Sequence, residues 1–137
     1  MLASTKPLVA ETLLEIILTD READVMQILW ELGPSIVADV RGALHDELAY
    51  TTVLTILRTL ETKGYVSHTE EGRGHRYFST VKEQAARKSA LRHLTSKLFK
   101  GSTELLFAQL VSERTLKPDQ IRRMRELLDK HSDEENS

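Results

Sequence analysis

The stretch from Tyr50 to Thr80, YTTVLTILRTLETKGYVSHTEEGRGHRYFST, constrains the fold more than any other part of this chain. Its first half predicts a helix with two unlike faces. Val53, Ile56, Leu57 and Leu60 recur at the three- and four-residue steps of a single apolar stripe. At about 100° per residue, Thr51, Thr52, Thr55, Arg58, Thr59 and Thr62 fall on the other side. Threonine is a mediocre helix former because its branched Cβ restricts χ1. A solvent face built for stability would carry Glu, Lys and Ala instead. Short hydroxyls with a methyl, together with an arginine, suit a surface that presses against something. The edge of a base pair fits, since threonine meets a thymine methyl and arginine reaches guanine or phosphate.

The second half of the stretch agrees. Lys63-Gly64 ends the helix with a cation at the negative end of its dipole and a residue free to adopt positive φ. Tyr65–Thr69 and His75–Ser79 then predict two short strands, joined by a turn over Glu70–Gly74 with two glycines for unusual dihedrals. A helix followed by a hairpin with Arg73 and Arg76 at or near its tip is a winged-helix arrangement. The helix would enter the major groove and the wing would lie on the neighbouring backbone.

Charge supports this reading through its distribution, because the net charge of −2 alone argues weakly against nucleic acid. Residues 1–49 hold three Lys/Arg against nine Asp/Glu, or −6; residues 50–100 hold ten against four, or +6; residues 101–137 hold six against eight, or −2. The positive segment contains the helix and the wing, an electrostatic footprint for phosphate flanked by acidic elements. With no cysteine in the chain, a disulfide framework and a thiolate zinc or copper site are excluded. No apolar run approaches the ~20 residues of a membrane span. The run Leu13–Leu18 is interrupted by Glu15 and lacks the features of a signal peptide, so a cytoplasmic protein without membrane insertion is expected.

In chain order, Met1–Pro7 is expected to fray, and Leu8–Leu18 reads as either a short helix or an arm lying on the body. Thr19-Asp20-Arg21-Glu22 is a capping-box pattern that starts a helix running to about Leu32, with Ala23, Met26, Ile28, Leu29 and Trp30 as core. Gly33-Pro34 stops it. Ser35 is expected to cap a second helix through about His45, with Ile36, Val37, Val40 and Leu44 apolar. Beyond Val81 the pattern is helical only: about Lys82–Lys100, Thr103–Val111, and a last helix from Pro118 to near His131, followed by a polar tail. These helices carry more large apolar side chains than so small a unit can hide. A second copy would cover them, and a two-fold dimer would present two helices to a palindromic site. Folding back on residues 18–80 in a monomer is the alternative. The expected interface residues are Leu91, Leu94, Leu98, Leu105, Leu106, Leu110, Ile121, Met124 and Leu128.

These residues resemble the penicillinase-repressor family of bacterial transcription factors, the BlaI/MecI type. The resemblance rests on Leu18–Met26 with Leu29-Trp30; on Thr52-Val53, Thr55, Leu57, Leu60 and Lys63-Gly64; and on Glu71-Gly72-Arg73 with Tyr77. It spans about residues 18–131 and implies a homodimer that represses transcription from an operator dyad over a promoter. Control of β-lactam-resistance or stress-response genes would follow. Members switched by a membrane sensor are cleaved by a protease at an Asn-Phe bond in the penultimate helix; Gln109-Leu110 stands there in this chain. The copper-responsive branch carries a C-terminal cysteine cluster, which is missing here.

The expected architecture is therefore mainly α with a small β-hairpin wing. An arm or short helix (1–17) precedes a winged helix-turn-helix domain (18–80), a helical dimerisation domain (81–131) and a disordered tail (132–137). Tyr50, Thr51, Thr52, Thr55 and Arg58 are the candidates for touching DNA from the helix, with Tyr50 offering its hydroxyl to a phosphate. Lys63, Arg73, His75 and Arg76 would position the protein on the backbone or minor groove. For His75, a satisfied strand residue is an equal alternative. The five histidines lack ligand spacing, so neither a metal nor any other cofactor is expected. Glu70-Glu71 lies in an exposed turn without the buried setting of acid–base chemistry, and no nucleophile or phosphate-cradling motif accompanies it. Two other functions stay open: a ligand-sensing regulator with its effector beside Trp30 and helix 82–100, and a winged helix used only to bind protein.

Overall fold

The computed structural model describes residues 15–113 and 116–136. The elements in order are α1 (Asp20–Leu32), β1 (Ser35–Ile36), α2 (Val37–Ala43), α3 (Tyr50–Lys63), β2 (Val66–Glu71), β3 (Gly74–Ser79), α4 (Glu83–Leu98), α5 (Thr103–Ser112) and α6 (Pro118–Asn136). The chain divides into two compact units, residues 1–92 and 93–137, and α4 crosses the division.

In the first unit, α1–α3 pack on an antiparallel three-stranded sheet of order β1-β3-β2. The core is Val25, Met26 and Leu29 of α1, Val37 and Val40 of α2, Val53, Leu57 and Leu60 of α3, and Tyr77 of β3, all buried. Trp30 is half-buried, and its Nε1 donates to the Ser79 hydroxyl and the Val81 carbonyl, each at 3.0 Å. The indole thus joins α1 to the end of the hairpin, a structural role. Of the arm expected over Leu8–Leu18, residues 8–14 lie outside the described part. Residues 15–19 have no regular structure, and Ile16 is buried, its N–H donating to Ser89 Oγ at 2.6 Å and its carbonyl accepting from the same hydroxyl at 3.1 Å.

Two expectations need correcting. Ser35 does not cap α2. It is a strand residue opposite Tyr77, and its hydroxyl donates to Gly33 O at 2.8 Å, while the extended Ile36 takes the N-cap position without a side-chain bond. A two-residue strand has no periodicity of its own, so only its pairing with β3 defines it. The last helix does not stop near His131 but continues through Asn136, with His131 and Glu135 paired one turn apart at 3.5 Å. The segment 132–136 expected to be disordered is thus helical.

α1 opens with a full capping box: Thr19 Oγ1 accepts from Glu22 N, and Glu22 Oε1 accepts from Thr19 N at 2.8 Å. The same oxygen accepts from Lys63 Nζ at 2.8 Å, although Glu22 is buried. One carboxylate therefore caps α1 and anchors the last turn of α3. Burial pushes the Glu22 carboxyl up, but the Lys63 hydrogen bond and those from Thr19 outweigh it and hold it below the ordinary 4.5. A carboxyl depressed in the fold contributes stability that is present above its ordinary value and lost as pH falls through the depressed one. Glu22→Gln is expected to cost about 1–2 kcal/mol at pH 7. In denaturant titrations the gap between variant and parent should narrow progressively as pH falls below 4.5; a gap unchanged with pH would show that the charge is not the source.

Candidate nucleic-acid interface

α3 is held in the fold by one side. Val53, Leu57 and Leu60 are buried and Ile56 is half-buried, whereas Thr51, Thr52, Thr55, Arg58, Thr59 and Thr62 are exposed along the full length of the helix. The helix ends in a Schellman motif: Tyr65 N donates to Leu60 O and Gly64 N to Glu61 O, both at 3.0 Å, with Gly64 at φ 88°. That glycine turns the chain straight into β2. Thr80 N then bonds Tyr65 O at 2.9 Å and Thr80 Oγ1 bonds Gly64 O at 2.8 Å, which closes the base of the hairpin on the helix end. At its other end α3 has no side-chain cap. Thr52 N and Val53 N bond Ala49 O at 3.0 and 3.1 Å, so the N–H groups of Tyr50 and Thr51 and the positive end of the dipole face an external acceptor. An open cleft of about 770 Å3, lined by Arg41, Leu48 and Tyr50 among others, runs beside this turn.

The nine residues expected to meet DNA separate into groups. Tyr50, Thr51, Thr52, Thr55 and Arg58 share the exposed side of α3. The pKa of Tyr77 in β3 is raised first by burial and next by Glu61, against the pull of the Arg58 charge. Arg73 sits at the two-residue turn of the wing, where only Gly72 has positive φ, at 62°. Gly74 needs no unusual dihedral, contrary to the expectation for both glycines.

The remaining three are engaged within the protein. Lys63 belongs to Glu22. Arg76 is held by Glu71 through two bonds, Nε to Oε2 at 2.6 Å and Nη2 to Oε1 at 3.1 Å, with a third from Nη1 to Pro34 O at 3.2 Å. This pair lowers the Glu71 pKa and raises that of Arg76. His75 stacks on His68 with centroids 4.1 Å apart and planes 11° apart, and His68 Nδ1 lies 2.7 Å from Glu61 Oε2. The imidazoles therefore connect wing and α3, which matches the strand-residue alternative for His75. Arg41, whose Nε donates to Leu48 O at 2.8 Å, was not singled out by sequence. It shapes the loop that enters α3, and its basic charge in the last turn of α2 was the only available signal.

In the second unit neither α5 nor α6 has a buried residue. Leu105, Phe107, Leu110 and Val111 of α5 and Ile121, Leu127 and Leu128 of α6 are exposed. Phe107, Val111, Ile121, Met124 and Leu128 line a groove of about 570 Å3. No helix among the described residues is long and apolar enough to cross a membrane.

A three-helix body with a hairpin wing and one helix polar on its outer side defines the winged-helix DNA-binding class. The model of the penicillinase repressor family matches residues 18–130, and the chain belongs to that family of transcriptional regulators, which are not enzymes. It is 22% identical over 117 residues to the methicillin resistance regulatory protein MecI of Staphylococcus aureus strain N315, spanning 82% of this chain and 94% of that one. It is 43% identical over 63 residues to the transcriptional regulator BlaI of Mycobacterium tuberculosis strain CDC 1551 / Oshkosh, spanning 44% and 46%. An uncharacterized 16.5 kDa protein of Latilactobacillus sakei is 30% identical over 113 residues, spanning 81% and 77%. Among solved structures, a MarR family protein from Bacillus stearothermophilus aligns over 99% of this chain and 88% of that one, with 17% identity and a TM-score of 0.48, too loose a likeness to carry weight.

The Glu71–Arg76 pair gives a direct expectation. Glu71→Gln removes a negative charge from the wing and loosens Arg76, so binding to duplexes of any sequence should tighten a few-fold at low salt, with a log K against log salt slope steeper by up to about one. Unchanged affinity and slope in a salt titration would mean that the wing does not approach phosphate.

Proposed function

We propose that this chain represses transcription as a homodimer on a palindromic operator, with α3 of each copy in the major groove and Arg73 against the adjoining backbone. The carrying observation is the exposed polar face of α3 on a helix whose other face is locked in the core. A mobile or loosely packed helix would lose its register on the bases; Val53, Leu57 and Leu60 prevent that. The uncapped first turn suits a phosphate oxygen, and Tyr50 beside it can donate its hydroxyl. Arg73 at the wing tip positions without reading sequence. Engagement of Trp30 with Ser79 and Val81 speaks against an effector bound there.

The dimer is proposed on the second unit. Helices that bury nothing and expose leucines in rows are stable only when another surface covers them. The expected positions Leu94, Leu98, Leu105, Leu110, Ile121 and Leu128 are exposed, Leu106 and Met124 half-buried, and Leu91, on the part of α4 in the first unit, is exposed. The MecI relatives are named for the regulation of methicillin resistance, which makes β-lactam-resistance genes the proposed targets. If a protease relieves repression, it meets Gln109-Leu110 inside the hydrogen-bonded turns of α5 and has to open that helix first.

Replacing both Thr52 and Thr55 with Ala should cut specific binding at least tenfold while leaving mass and thermal unfolding unchanged. Unaltered specific binding in a mobility-shift titration would remove α3 from the interface. For assembly, Leu106→Asp should convert a dimer to a monomer in sedimentation and weaken operator binding by two orders of magnitude or more, because two half-sites are no longer held together. A parent protein that sediments as a monomer contradicts the architecture.

A further inference from the structure

Three threonines on the outer side of α3 share a geometry that limits how they can recognise a base. Thr55 Oγ1 donates to Thr51 O at 2.9 Å, Thr59 Oγ1 to Thr55 O at 2.9 Å, and Thr62 Oγ1 to Arg58 O at 3.0 Å. Each hydroxyl proton is thus committed to the carbonyl one turn earlier in its own helix. A threonine χ1 in a helix has few wells, and the one that makes this bond also fixes where the γ-methyl goes. What remains for a partner is a stationary methyl group and the lone pairs of an oxygen already in a hydrogen bond. Thr51 and Thr52, in the first turn, make no such bond among the described residues, so their hydroxyls keep both donor and acceptor capacity.

We infer that Thr55 discriminates bases by packing its γ-methyl against the 5-methyl of thymine, whereas Thr51 and Thr52 recognise base edges or phosphate through their hydroxyls. The inference rests on the reading of α3 as the DNA-contacting helix and names the chemistry that helix selects. In the major groove, guanine offers only acceptors at O6 and N7, and thymine offers O4 and a methyl. A threonine with no proton to donate gains nothing from the acceptors. Against thymine it removes two methyl groups from water. The helix supplies the rigidity that makes so short a side chain selective, since Thr55 lies directly between the buried Val53 and Leu57 in sequence and turns with them.

The test uses the full chain and a duplex selected by it from a random-sequence library. Thymines of the selected duplex are replaced one at a time by uracil, which lacks only the 5-methyl. Thr55→Val keeps a methyl at the same place and deletes the hydroxyl; Thr55→Ser does the reverse. One uracil position should weaken binding about fourfold, the worth of one buried methyl group. Thr55→Ser should cost a similar factor on the thymine duplex and add no further loss on the uracil one. Thr55→Val should bind within twofold of the parent. The opposite pattern, in which Ser binds like the parent, Val loses affinity and no uracil matters, would overturn the inference by showing that the oxygen accepts a bond from adenine or cytosine. The uracil arm needs no variant, so it decides even if Thr55→Val fails to fold. Selection that enriches no sequence would overturn both this inference and the function on which it rests. Enrichment with no uracil effect would overturn the inference alone.

Discussion

The burial of one side of α3 determines the rest. Val53, Leu57 and Leu60 lie fully inside, against α1, α2 and the sheet. Each large apolar side chain removed from water contributes on the order of 1.5–3 kcal/mol. Rotating the helix about its axis to hide the threonines would expose those residues and bury an arginine, a loss comparable to the whole stability of a small domain. The polar side is therefore outward by compulsion. Its composition is then free to answer to something other than stability, and poor helix formers with methyl-bearing hydroxyls are what occupy it.

Around that helix the protein neutralises charge locally. Lys63 meets Glu22 and Arg76 meets Glu71. Arg73 at the tip, Arg58 on α3 and Arg41 beside the first turn of α3 have no carboxylate partner among the described residues. The +6 segment thus presents a smaller and more localised positive surface than its formal charge suggests. Phosphate attraction without sequence information is weakened by the same pairing, which favours recognition through base edges.

Much of this was legible in the order of residues. The stripe Val53-Ile56-Leu57-Leu60 located both faces of α3, Lys63-Gly64 its end, and Thr19 with Glu22 the start of α1. The wing was visible in its turn glycines, although only Gly72 needs positive φ. What stayed hidden depends on contacts remote in sequence. β1 exists because Ser35 and Ile36 meet Tyr77 and Arg76, about 40 residues away in the chain. The inward commitments of Lys63 and Arg76 each require a partner that periodicity does not reveal. The last helix outran its expected end because local helical pairing continued into an acidic segment that looked like a tail.

The central claim, that the outer side of α3 occupies the major groove of duplex DNA, is tested most directly by dimethyl sulfate footprinting of the full chain on its selected duplex. Guanine N7 lies in the major groove and adenine N3 in the minor groove. Two patches of guanine N7 protection about one helical turn apart are predicted, one for each α3 of a dimer. Protection confined to adenine N3, or a bound duplex with every guanine N7 still reactive, would contradict the account.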